Sequence, residues 1–71
     1  MSVNNSTQEK LDANDIYAWG AKRKKGFTTG QLADHFRIPR KRAAAFIAIC
    51  RIRGQFKPNG RGSDGTSQWL P

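Results

Sequence analysis

The side chains in this chain best able to do chemistry are cations. Arg40, Lys41, Arg42, Arg51 and Arg53 lie along one stretch whose middle reads Ala43-Ala44-Ala45-Phe46-Ile47-Ala48-Ile49-Cys50. Guanidinium and ammonium groups bind phosphate oxygens, and arginine also reads the acceptor edge of guanine. Lys24 and Lys25 close a run of four cations at 22–25, and Lys57 and Arg61 follow further on. Residues 20–61 hold twelve Lys or Arg against Asp34 alone, a balance of +11. Residues 1–19 carry −2 and residues 62–71 carry −1, which leaves +8 for the 71 residues. The positive field thus belongs to the middle of the chain and not to a basic tail. A polyanion is the expected partner, because such a field attracts phosphates and releases their counterions. The competing reading is a charge excess that only keeps the protein dispersed.

Other chemistries are poorly served. The lone Cys50 cannot form an internal disulfide, and with His35 as the single histidine no zinc site can be assembled. His35 has no evident nucleophile or carboxylate partner, so it reads as a structural or solvent-facing residue. No glycine loop precedes a helix to cradle a nucleotide, and no carboxylates are paired at a plausible site. The expectation is a protein that is not an enzyme, with no cofactor and no metal. Residues 1–10 are polar and unlike a signal peptide, and the longest apolar run, Ala43–Cys50, is eight residues. A membrane span needs about 20. A soluble protein in a reducing, cytoplasmic setting is expected.

The cations need elements to hold them. Residues 1–9 read as a flexible segment and residues 10–71 as one small domain. Ser6 with Glu9, or Asp12 with Asp15, has the spacing of a helix-capping box. Leu11, Ala13, Ile16, Trp19 and Gly20 then supply an apolar stripe, which predicts a first helix from about residue 10 to about residue 23. Lys22–Lys25 suit the negative end of its dipole, and Gly26 stops it. Thr28 begins a second, short helix, since its hydroxyl can cap Gln31 and the Gln31 side chain can reach back. Leu32, Ala33 and Phe36 face inward, and Arg37-Ile38-Pro39 makes a turn. A longer basic helix follows, closed by Gly54.

On a helical wheel of 100° per residue with Arg40 at 0°, Ala43, Phe46, Ile47 and Cys50 fall at about 240–340° and form the core stripe. Lys41, Ala44, Ala45, Ala48 and Ile52 fall on the opposite side, at about 40–140°. Arg40 and Arg51 line one flank, Arg42 and Arg53 the other. The exposed face is an alanine strip with arginines along both edges. Small side chains let a helix approach the floor of a major groove, where alanine methyls can touch thymine methyls. Alanine is also simply the best helix former, but propensity does not account for arginines on both borders. Ile49 and Ile52 lie outside the core stripe, to be covered by the C-terminal segment or to form a dimer or partner contact.

After Gly54, Gln-Phe-Lys-Pro reads as a short strand and Gln-Trp-Leu-Pro at 68–71 as its returning partner. The loop between them is glycine-rich, with Arg61 at its centre between Gly60 and Gly62. A hairpin behind a helix-turn-helix is a wing, and an arginine between glycines could enter a narrow minor groove. The expected fold is mainly α with a small β-hairpin: a winged helix-turn-helix of three helices plus a C-terminal wing.

From about residue 12 to residue 71 the chain resembles compact winged helix-turn-helix regulators. Thr28-Thr29-Gly30-Gln31-Leu32-Ala33 matches the start of the second helix in many of them, Ile38 fills the apolar turn position, and Arg53-Gly54 stands before the wing. Arg61-Gly62 through Gln68-Trp69-Leu70 is similar to the wing of the small fimbrial-operon regulators of the FaeA/PapI type. Ala18-Trp19 through Ala43 echoes the CaiF/GrlA-like bacterial activators. The resemblance implies bacterial or phage transcription control through double-stranded DNA. Two departures stand out: Pro39 replaces the usual polar cap of the recognition helix, and the three alanines replace polar residues that often read bases.

The residues expected in the major groove are therefore Arg40, Lys41, Arg42, Ala44, Ala45 and Ala48. Those expected at phosphate are Thr28, Thr29, Gln31, Lys24, Lys25 and Arg51, with Lys57 and Arg61 on the wing. A homodimer or partner regulator would use Ile49 and Ile52. Two other readings stand beside DNA binding. One is an adaptor that binds another regulatory protein, with DNA contact secondary; the other is structured-RNA binding.

Overall fold

The structure is a computed structural model, and it describes residues 11–71. Its elements run α1 (Ala13–Ala21), β1 (Phe27–Thr28), α2 (Thr29–Phe36), α3 (Arg40–Ile52), β2 (Lys57–Arg61) and β3 (Ser67–Leu70). The expected flexible segment at 1–9 and the Ser6–Glu9 box lie outside the described residues.

Side-chain caps set the starts of α1 and α2. The Asp12 carboxylate accepts from the amides of Asn14 at 2.9 Å and Asp15 at 3.1 Å, and the Asp15 carboxylate accepts from the Asp12 amide. Of the two competing boxes, this one sets the start of α1. The helix is shorter than the expected 10–23, ending at Ala21 with Lys22 as its cap. Tertiary packing overrides the local pattern here: the chain turns at Arg23–Gly26, whose carbonyl-to-amide contact is 2.8 Å, so that Phe27 can enter the core. At the start of α2, Thr28 and Gln31 form the reciprocal box their spacing predicts, with bonds of 3.1 and 3.0 Å.

Between α2 and α3, Arg37 takes a left-handed conformation (φ 56°, ψ 46°), and the Ile38 amide reaches back to the Ala33 carbonyl at 3.0 Å. That reversal drops Ile38 into the core and redirects the chain into α3. Pro39 caps α3 with no side-chain bond. Ala43, Ile47 and Cys50 are buried, as the wheel requires, and pack with Ile16, Leu32 and Phe56. The rings of Phe27 and Phe56 meet edge to face with centroids 4.9 Å apart, beneath Trp19.

The sheet is larger than a hairpin. Its strands are antiparallel in the order β1-β3-β2, with Phe27 opposite Trp69 and Pro58 opposite Trp69 on the other side. The chain is therefore a mixed α/β fold of three helices and a three-stranded sheet among the described residues, not helices with a two-stranded appendage. Two residues cannot announce themselves as a strand; β1 exists because β3 offers it a free edge. The strands at 55–58 and 68–71 are displaced to Lys57–Arg61 and Ser67–Leu70. Three steps on β2 match two on β3 between Pro58 and Arg61, so β2 carries a bulge.

The C-terminal segment does not cover the apolar flank of α3. With β3 held between its two neighbours, Ile52 stays 86% exposed and Ile49 42% exposed.

Candidate nucleic-acid interface

The outward face of α3 is assembled as the wheel predicts. Lys41, Ala44, Ala45, Ala48 and Ile52 are exposed, and Arg40 and Arg51 stand exposed on one border. On the other border, Arg42 is half-buried, with its guanidinium carbon 5.6 Å from the centre of the Phe46 ring. The Arg53 guanidinium donates to the Asn14 side-chain oxygen at 3.3 Å, tying this border to α1. The Arg40/Arg51 border faces the sheet: the Arg51 guanidinium carbon lies 5.8 Å from the Trp69 ring centre, and Arg40 lies close enough to Asp64 to act on its charge. The hairpin thus flanks the basic edge of α3.

Lys57 and Arg61 are exposed on β2, the outer strand of the sheet. Arg61 is not at the centre of the loop. It closes β2, opposite Ser67, and the loop proper is the tighter Gly62–Thr66 turn, held by a Gly62 amide to Thr66 carbonyl bond of 2.9 Å. Lys24 and Lys25 are exposed in the turn between α1 and β1.

The start of α2 is arranged differently from the expectation. Thr28 and Thr29 are buried, at 6% and 8% exposure, and their hydroxyls face inward partners. The Thr28 hydroxyl donates to the Asp64 carboxylate at 2.7 Å, and the Thr29 hydroxyl accepts from the Trp69 indole at 3.0 Å. The Thr66 hydroxyl accepts from the Gly30 amide at 3.0 Å and donates to Asp64 at 2.7 Å. Hydroxyls and a carboxylate from the hairpin thus occupy the positive pole of α2 that a phosphate would use. Gln31 remains exposed at its rim.

Three hydrogen bonds, two from hydroxyls and one from the Thr66 amide, hold the Asp64 carboxyl down at about 2. Glycines make the docking feasible. A Cβ at Gly30 would lie 2.5 Å from the Asp64 carboxylate, and one at Gly62 would strike the Thr28 methyl. Sequence reasoning missed this lock. Its local trace is Asp64-Gly65-Thr66, where an aspartate two residues before a threonine can accept that threonine's amide.

Among the described residues no side chain caps the start of α3, and the first turn carries Arg40, Lys41 and Arg42. The dipole's positive end and three cations reinforce one another there, which makes this the more anion-attracting of the two helix starts. Among the described residues no group of three or more His, Cys, Asp or Glu could hold a metal ion, and no helix is long and apolar enough to cross a membrane. Cys50 is buried, donates to the Ala13 carbonyl at 3.6 Å, and has its thiol pKa raised by that burial. Comparisons with protein-family models, with curated proteins and with solved structures yield no match to the chain.

Proposed function

We propose that the chain is a winged-helix module that binds double-stranded DNA in transcription control. In this reading α3 enters the major groove, and β2–β3 is the wing, set against the backbone or minor groove. The observation that carries the reading is the α3 face itself: exposed, free of acidic residues, bordered by arginines and flanked by a hairpin that adds Lys57 and Arg61. Arg40, Lys41 and Arg42 supply hydrogen-bond donors at the groove entrance, and Ala44, Ala45 and Ala48 permit close approach. Lys24, Lys25, Arg51, Lys57 and Arg61 supply phosphate contacts. Thr28 and Thr29 support the interface from within, through the hairpin they anchor, and Gln31 is the phosphate candidate left at that corner.

Fluorescence anisotropy tests it, with a random duplex pool, a matched RNA duplex and the promoter DNA beside the chain's own gene across a salt series. Promoter binding far tighter than to the pool, with a steep salt slope, is expected. Equal and weak binding to all three duplexes would refute it. The adaptor reading rests on the exposure of Ile49 and Ile52. It would be favoured if a regulator from the same cell bound the chain and substituting Ile52 abolished that binding.

A further inference from the structure

We propose that α3 selects its DNA through the C5-methyl groups of pyrimidines in the major groove, that is, through thymine or 5-methylcytosine. This rests on the DNA-binding reading above and adds what the helix recognises. Beyond the first turn, the outward face of α3 is built from Ala44, Ala45, Ala48 and Ile52, with Ile49 beside them. Ile52 is 86% exposed and Ile49 42% exposed, so among the described residues this hydrocarbon is presented to the outside.

These side chains have no donor or acceptor. Set against the amino and carbonyl edges of bases, they would leave buried polar groups unpaired. The C5-methyl is the one apolar group a base pair displays in the major groove, and it sits at the depth an alanine or isoleucine methyl can reach. The borders identify the occupant as a nucleic acid. Arg40 and Arg51 run exposed along one side of the apolar strip; along the other, Arg42 is half-buried beside Phe46 and Arg53 is exposed but donates to Asn14 of α1. A groove walled by two phosphate strands presents negative charge on both sides of a floor of base edges. A protein partner would need two acidic rows flanking an apolar ridge.

The test uses the folded wild-type chain and changes only the DNA. The tightest duplex recovered from a random pool is synthesised with thymidine and again with deoxyuridine, which keeps base pairing and removes each methyl. Burying a methyl is worth about four-fold in affinity, so two contacts predict about a fifteen-fold loss on the uracil duplex. Methylating C5 of cytosines in a G·C-containing pool should enrich the bound fraction in the same sense.

Because Ile52 is 86% exposed, Ile52→Asn should leave the fold intact. It should also bring the thymine-to-uracil ratio closer to one. A ratio left unchanged both by Ile52→Asn and by Ala44→Ser/Ala48→Ser, at positions also exposed, would assign the effect to DNA stiffness and overturn the proposal. Equal affinity for the thymine and uracil duplexes, both well above the random pool, would overturn methyl recognition while leaving DNA binding in place. Failure to bind any duplex above the random pool would overturn both.

Discussion

The dependence of binding on salt gives the most direct quantitative test of the interface. Lys24, Lys25, Arg51, Lys57 and Arg61 are all exposed, and each is assigned to phosphate. Five neutralised phosphates predict a slope of log affinity against log salt of about −4.5. A fourfold rise, from about 50 to about 200 mM, should then weaken binding about 500-fold. Lys24 and Lys25 are exposed in the turn after α1 and are not part of the buried core, so Lys24→Gln/Lys25→Gln should leave the fold alone. Losing two contacts should reduce the slope to about −2.7 and the salt penalty to about 40-fold. Circular dichroism would confirm the fold, and anisotropy titrations at four salt concentrations would give both slopes. An unchanged slope would remove the turn from the interface. A slope near zero in the wild-type chain would refute the electrostatic argument as a whole.

Three further outcomes follow from individual residues. Arg40→Ala or Lys41→Ala should weaken specific binding by about 1–3 kcal/mol if the residue contacts a base, whereas an equal loss on every duplex would assign it to phosphate. Gly20→Ala places a Cβ 2.5 Å from Phe56 Cζ and 2.9 Å from Phe27 Cε1. It should cost about 1–3 kcal/mol and lower Tm by on the order of 10 °C, and an unaltered melt would contradict the packing described. Asp64 is more acidic in the fold, at about 2 against an ordinary 3.8, so its bonds stabilise the fold above 3.8 and are lost as pH falls through about 2. The Tm gap between wild type and Asp64→Asn should therefore be full near neutrality and close between about pH 5 and pH 2. A gap that persists at the acid end would mean the carboxylate's charge is not what the hydroxyls hold.

What the sequence discloses is what short-range chemistry decides. Asp12 with Asp15 and Thr28 with Gln31 are each three residues apart, and both boxes form where the spacing places them. The α3 wheel separates Ala43, Ile47 and Cys50 from the exposed alanines because a helix enforces its own period. The candidate cations on α3 were legible for the same reason. The remainder depends on distant partners. β1 is two residues long and pairs with a strand some forty positions away, and Asp64 meets Thr28 across 36 positions. No local pattern encodes either. Thr28 and Thr29 looked like surface residues because capping threonines usually are. They are buried here because the hairpin lies on them. Arg61 looked like a loop tip because glycines flank it, yet β2, with its bulge, runs through Gly60 and ends at Arg61, so that only Gly62 belongs to the turn.

The central position of β3 has a thermodynamic consequence. A hairpin attached at one edge would swing freely and would have to be immobilised when a ligand engaged it, which adds a loop-ordering cost to association. Here β1 clasps the returning strand on its far side, and Asp64 and Trp69 fasten it to the start of α2. The backbone that carries Lys57 and Arg61 is thereby pre-organised relative to α3. Most of the entropy of ordering this surface is lost once, during folding. Calorimetry of complex formation should accordingly show a heat-capacity change set by the contact area alone, without the added increment of a segment that folds on binding.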